Sequence, residues 1–291
     1  MHGTGVPLAT PFDDSGAVDH GALADLAGWL EAAGVDFLVP CGSTGEAPAL
    51  STDERVAVVE TVAGATDLPI LAGTGREGYE PTFETTRRAA EAGADAALVV
   101  SPSYYGVDDD ALAAYYRDLA DESPVPVYCY SVPKFTDHAI DPRTVESLAD
   151  HPNVAGIKDS SGSLESVQRL VRFTAEADFS VLVGSGSVYA AALDAGVDGG
   201  VLALANAVPG RASEVFRRHR DGDGEGARAL NASLVELNRA ITARYGVPGV
   251  KAALSLRGLE AGRPRRPLSP VDDAAAREVE ALLDAALGER E

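Results

Sequence analysis

The sequence predicts an α/β fold, a (β/α)8 TIM barrel with a C-terminal helical extension, on three observations. Short β-branched or apolar runs alternate with longer helical patterns almost to residue 220, which marks successive βα units rather than separate α and β blocks. The runs begin near Gly5, Val35, Leu68, Asp95, Val125, Val154, Ser180 and Gly199, and eight such units close a barrel. Beyond residue 220 only helical patterns follow. Residues 1–220 are therefore expected to form the barrel and 221–291 an extension packed on it.

The elements carry their own signals in chain order. Asp19 opens a helix whose Leu23, Leu26 and Leu30 recur at helical spacing, and Gly34 closes it just before the apolar run Val35–Val39. Ser51-Thr-Asp-Glu54 reads as a capping box for the next helix. Gly73-Thr-Gly-Arg-Glu-Gly78 satisfies the dinucleotide pattern G-x-G-x-x-G, yet it stands in the third unit rather than the first, and a tight turn explains its glycines equally well. Asp141-Pro142 is an N-cap followed by proline at the first helical position. In the extension, Gly226–Tyr245, Gly249–Gly258 and Val271–Leu287 read as helices. Gly262-Arg-Pro-Arg-Arg-Pro267, without periodicity, reads as a linker.

Composition excludes several classes of function. The chain has 291 residues, 45% of them hydrophobic, enough to bury a large core. Against 24 basic residues stand 45 acidic ones, a net charge of −21 that repels nucleic-acid backbones and anionic lipid. No nucleic-acid or membrane partner is expected. Met1–Leu8 lacks the features of a leader, and no segment approaches the roughly 18 apolar residues of a membrane span, so the reading puts the chain in the cytoplasm. Cys41 and Cys129 make neither a disulfide framework nor a zinc site, and no metal is expected. The sequences G-x-S-x-G, H-E-x-x-H and Walker A are absent, which counts against hydrolases, zinc peptidases and P-loop enzymes.

Lysine is scarce: Lys134, Lys158 and Lys251 are the only three, in a composition that resembles salt-adapted proteins. Scarcity makes each informative, because arginine cannot replace the amine where its nucleophilicity is used. Lys158 ends the run Asn153–Lys158 and precedes Asp159-Ser-Ser-Gly162, at the strand edge where barrel sites lie. An ordinary lysine is about 0.04% neutral at pH 7, and burial in an apolar barrel raises that fraction by lowering the pKa. The bland alternative is a strand-end lysine paired with Asp159. Lys134 and Lys251 read as loop and helix residues. Val125-Pro-Val-Tyr-Cys-Tyr130 is the preceding strand, and one of Tyr128 and Tyr130 is expected to face the barrel beside strand six, as a proton shuttle or as packing. Cys41-Gly-Ser-Thr-Gly-Glu46 follows strand two, and its glycines let successive N–H groups face a carboxylate. With Tyr104-Tyr105 after strand four and Gly184-Ser-Gly186 after strand seven, four loops are expected to converge on one mouth.

These residues resemble the dihydrodipicolinate synthase and N-acetylneuraminate lyase family of pyruvate-dependent class I aldolases. Gly42-Ser-Thr-Gly-Glu46 resembles the family's G-[ST]-T-G-E loop, Tyr130-Ser-Val-Pro133 its Y-N-x-P stretch, and Gly156-Ile-Lys-Asp159 its G-x-K-[DE] motif, in order and over nearly the whole chain. The resemblance implies that Lys158 forms a Schiff base with a 2-oxo acid and that Tyr130 is the acid/base residue. It also implies that the backbone at Ser43 and Thr44 holds the carboxylate, and that Thr44 relays protons toward Tyr105. Gly184 and Val201 would line the pyruvate pocket, and no metal or organic cofactor is required. In the family the tyrosine matching Tyr105 comes from a neighbouring subunit, which implies a homo-oligomer, a tetramer built as a dimer of dimers.

One departure bears on the substrate. Dihydrodipicolinate synthases carry an arginine two residues after the Y-N-V-P proline, for the semialdehyde carboxylate, and this chain has Phe135 there. Tyr130–Thr136, Tyr245-Gly-Val-Pro248 and Pro270-Val-Asp-Asp273 look closer to archaeal 2-keto-3-deoxygluconate aldolases. The expected reaction is thus reversible cleavage of 2-keto-3-deoxygluconate, or its 6-phosphate, to pyruvate and glyceraldehyde or its 3-phosphate. The alternatives are condensation of pyruvate with aspartate semialdehyde, as in 4-hydroxy-tetrahydrodipicolinate synthase, and a non-catalytic barrel that binds oxo acids.

Overall fold

The computed structural model describes residues 1–288; the last three residues of the expected extension, 289–291, lie outside the described ones. Among the described residues, eight parallel strands form one sheet: β1 (Gly3–Val6), β2 (Phe37–Leu38), β3 (Leu71–Gly73), β4 (Ala96–Val100), β5 (Val127–Ser131), β6 (Val154–Asp159), β7 (Ser180–Val183) and β8 (Gly199–Val201). The order β2-β1-β8-β7-β6-β5-β4-β3 is closed by a parallel bridge between Leu38 and Ile70, which makes the sheet a barrel. The strands begin within three residues of the positions read from sequence. The largest offset has a covalent cause, for Pro69 lacks the N–H that a ladder needs and delays β3. Pro40 likewise ends β2 early.

Helices alternate with the strands: α1 (His20–Ala32), α2 (Thr52–Ala65), α3 (Tyr79–Glu91), α4 (Asp109–Glu122), the single turn α5 (Pro133–Thr136), α6 (Pro142–Ala149), α7 (Leu164–Phe173), α8 (Tyr189–Asp194) and α9 (Pro209–Arg220). Their starts follow the capping signals. Asp19 accepts from the Ala22 N–H, Asp141 accepts from the Arg143 N–H ahead of Pro142, and Ser51 with Glu54 completes the capping box. The extension consists of α10 (Gly224–Asn238), which runs on into a π-helical stretch (Arg239–Arg244), α11 (Val247–Leu256) and α12 (Asp273–Leu287). Asn231 fastens α10 to the barrel by accepting from the Ala190 N–H and donating to the Gly186 carbonyl.

Apolar side chains bury themselves in two layers. One fills the space between strands and helices, and the other, including Phe37, Leu71, Leu98, Leu182 and Val201, plugs the barrel interior. Each such side chain contributes about 1.5–3 kcal/mol by leaving water. Tyr128 and Tyr130 both belong to the inner layer. The expectation that only one of them faces the barrel is corrected by the strand's period of two, which puts residues 128 and 130 on the same face. Tyr128 lies one pleat below Tyr130, and its hydroxyl is 2.6 Å from the Met1 ammonium.

The segment read as a linker is a strap instead. Arg265 donates its backbone N–H to Glu46 Oε2 at 2.8 Å, and its guanidinium bonds Glu54 and the carbonyls of Gly16 and Ala49. Gly262, at φ +64, is pressed so close to Phe12 that a Cβ would stand 1.9 Å from the Phe12 carbonyl oxygen. Lack of periodicity correctly excluded helix and strand here. The Arg265 anchors were invisible because each of their partners lies more than 200 residues away in the chain.

Candidate active site at the barrel mouth

Lys158 and Tyr130 are cross-strand neighbours in the β5–β6 register, and both side chains turn into the barrel. Lys158 is 4% exposed and Tyr130 5%. The Lys158 Nζ stands 4.2 Å from the centroid of the Tyr130 ring. Asp159 points to the opposite face, as the next residue of a strand must, and both its oxygens accept from Ser161. The alternative of a Lys158–Asp159 pair is thereby removed. Burial by itself pushes the Tyr130 phenol up. The Lys158 ammonium, together with hydrogen bonding from Ser43, Ser160 and Lys158, reverses this and holds the phenol below the ordinary tyrosine value.

The loop after β2 closes over this pair. Its internal bonds use the N–H groups of Gly45, Glu46 and Ala47, and those of Ser43 and Thr44 donate in none of them. Ser43 Oγ lies 3.5 Å from Tyr130 Oη. Ser43, Thr44, Tyr130, Lys158, Gly184 and Val201 all line one cavity of about 300 Å³. Gly184 is required there by close approach, since a Cβ would meet Ser160 Oγ at 1.8 Å. This cavity can hold a small oxo acid with its carboxylate toward free backbone donors and its carbonyl toward the amine. The cysteines offer no rival nucleophile, for burial pushes the Cys41 thiol up to about 12 and raises that of Cys129 as well.

Six of the seven residues read from sequence thus meet at the mouth, and Tyr105 does not. It is 76% exposed, its ring edge-to-face with that of Tyr104 at 5.0 Å. The reason is local: Glu77 accepts from the backbone and hydroxyl of Ser103 and from the backbone of Tyr104, and so anchors the loop with both tyrosines exposed. The loop after β4 still reaches the mouth through Ser101 and Ser103, which line a larger space beside Ser43 and Tyr130, while its two tyrosines stand exposed. The sequence reading also missed Ser160, Asn238 and Ile241, which line the same cavity. The last two come from the extension, and no motif marks them.

A second cavity of about 1070 Å³ adjoins the first and shares Ser43, Tyr130, Lys134 and Phe135 with it. Phe135 stands at the junction, 61% exposed, with the Lys134 ammonium 5.4 Å from its ring centroid. Arg76 and Arg266 line the larger space.

The sequence profile of the dihydrodipicolinate synthetase family matches residues 1–286. The chain belongs to that family. Members are lyases of the class I aldolase type, and so is this chain. It is 37% identical to a 4-hydroxy-tetrahydrodipicolinate synthase of Methanothrix thermoacetophila, over 91% of this chain and 90% of the relative. A Haloarcula marismortui protein of the same name is 38% identical, over 94% and 90%. Among solved structures, the family member YagE from E. coli K12, in complex with pyruvate, superposes with a TM-score of 0.92 at 29% identity, covering 99% of both chains. The expected closeness to 2-keto-3-deoxygluconate aldolases finds no support in these names. They favour the synthase alternative over the sugar-acid reading, and nothing in them points to carbohydrate metabolism. No helix among the described residues is long and apolar enough to cross a membrane.

Proposed function

We propose that this family member joins pyruvate to an aldehyde, or parts the two, through an imine on Lys158. The observation that carries the reading is a buried lysine whose neighbouring carboxylate is bonded elsewhere, set against Tyr130 in a small cavity with the Ser43–Thr44 backbone. Neutral Lys158 Nζ adds to C2 of pyruvate, water leaves, and the protonated imine draws electrons from C3. Tyr130 acts as base and takes a C3 proton to give an enamine, whose C3 attacks the aldehyde carbon while the aldehyde oxygen takes that proton back from Tyr130. Hydrolysis of the imine, or its displacement by an amine on the product, frees Lys158. Ser43 and Thr44 hold the carboxylate through the reaction, Gly184 and Val201 wall the pocket, and Thr44 passes protons between Tyr130 and Tyr105. No organic cofactor or metal enters this scheme. Tyr105, exposed at the surface of one chain, is supplied to the relay by a second copy in a homo-oligomer, in the family a dimer of dimers.

The relatives' names favour aspartate semialdehyde as the aldehyde. Lys134, Arg76 and Arg266 along the adjoining cavity provide cations for its carboxylate, where the family's arginine is replaced by Phe135. Phe135 itself favours a second reading, cleavage of a 2-keto-3-deoxy sugar acid, because an apolar ring gives no bidentate partner to a carboxylate. The two are separated by assaying the protein with pyruvate plus aspartate semialdehyde and, in parallel, with 2-keto-3-deoxygluconate and its 6-phosphate. Condensation tens of times faster than cleavage is expected. Turnover of the sugar acid alone would transfer the assignment to the second reading.

A further inference from the structure

Lys251, read from sequence as an ordinary helix residue, lies on α11 with its side chain 3% exposed. Its Nζ is 2.9 Å from Glu46 Oε1, whose side chain is 2% exposed. The same ammonium donates to the Arg263 carbonyl at 3.2 Å and stands 4.2 Å from the centroid of the Phe12 ring. The other carboxylate oxygen of Glu46 accepts the Arg265 N–H at 2.8 Å. Both faces of the carboxylate are thus held by the extension and its strap.

Glu46 is the last residue of the loop that carries Ser43 and Thr44, and its backbone is left-handed at φ 57. Cys41, at the loop's other end, is also at φ 57. Such conformations cost side chains of this size energy and persist only where the surroundings impose them. A buried ion pair is poor value as a stabiliser, since two apolar residues of like volume hold a fold as well. What it does provide is position, because the carboxylate cannot swing away without leaving two charges unpaired in an apolar setting. We infer that Lys251 and Glu46 form a clamp through which the C-terminal extension sets the Ser43–Thr44 donors at the spacing that the pyruvate carboxylate requires. Lys251 is then a positioning residue for a reaction it never touches. The inference rests on the reading that Lys158 forms the imine and the loop binds the carboxylate.

The test is borohydride trapping of pyruvate on the full chain as a function of pyruvate concentration, with thermal unfolding measured alongside. The proteins are the parent, Lys251→Met, and the double variant Lys251→Met/Glu46→Gln, whose amide still accepts from Arg265 and leaves no buried charge. In the double variant the pyruvate concentration for half-maximal trapping rises about tenfold. Its maximal trapping rate stays within about threefold of the parent, and its unfolding midpoint recovers toward the parent. A folded double variant with the parent's half-saturation overturns the clamp. A parent that traps no pyruvate overturns the imine reading instead. If neither variant folds, hydrogen exchange on the unaltered protein decides. Pyruvate slows exchange of the Arg265 amide if the clamp couples strap to loop, and an unchanged rate there, with protection at the mouth, refutes it.

Discussion

Lys158 and Lys251 are buried almost equally, at 4% and 3% exposure, yet they stand in opposite electrostatic settings. Lys251 meets a carboxylate at 2.9 Å, a backbone carbonyl and an aromatic face, so its charge is compensated three times over. Burial still pulls its pKa down, with Glu46 pulling the other way. Lys158 has the Tyr130 ring at 4.2 Å, while the carboxylate next to it in the chain turns away to Ser161. The first arrangement holds a cation in place; the second leaves an amine open to a carbonyl carbon. Burial alone, then, does not mark a nucleophile. The arrangement of partners does.

Replacing each lysine by methionine, of similar length and no charge, sharpens the contrast most. Lys158→Met is expected to lose turnover by roughly 10⁴-fold or more while its unfolding midpoint holds or rises, because an apolar group then fills an apolar site. Retained catalysis in steady-state assays would erase the distinction between the two lysines. Tyr130→Phe removes the shuttle and leaves the amine, so turnover should fall by about 10²–10⁴-fold while pyruvate is still trapped on Lys158. Next in size is Lys251→Met. It strands the Glu46 carboxylate and is expected to cost about 3–5 kcal/mol in urea denaturation, whereas Lys158→Met costs none.

The smallest effect concerns the strap. The Arg265 guanidinium holds the Glu54 carboxyl down at about 2. A depressed carboxyl contributes stability that is complete above its ordinary value, near 4.5, and is lost as pH falls toward 2. Glu54→Gln should lower stability at neutral pH, where the carboxylate's contribution is complete, and converge with the parent as pH falls toward 2, so that the acid slope flattens in thermal unfolding across pH. A Gln variant that kept the parent's acid slope would remove Glu54 from the account.

The same pair of lysines shows how far the sequence could be read. Strand positions and caps were legible because local pattern governs them, and Lys158, Tyr130 and the Ser43–Thr44 loop stood out at strand ends, whereas Val201 and the pocket role of Gly184 came only from resemblance to the family. The scarcity of lysine that singled out Lys158 applied equally to Lys251, but scarcity says nothing of a partner 205 residues away in the chain. Arg265 was lost for the same reason: its segment has no period, and its hold on Glu54 and Glu46 exists only in the folded state. Tyr105 was read correctly as lying on a loop of the mouth-side rim. Its direction depends on Glu77, which no motif connects to it.

The account turns on Lys158, and borohydride reduction in the presence of pyruvate, followed by intact mass and peptide mapping, tests it most directly. One reduced pyruvate per chain, mapped to Lys158 and absent from Lys134 and Lys251, is the predicted result. An unmodified folded protein, or an adduct on either other lysine, would contradict it.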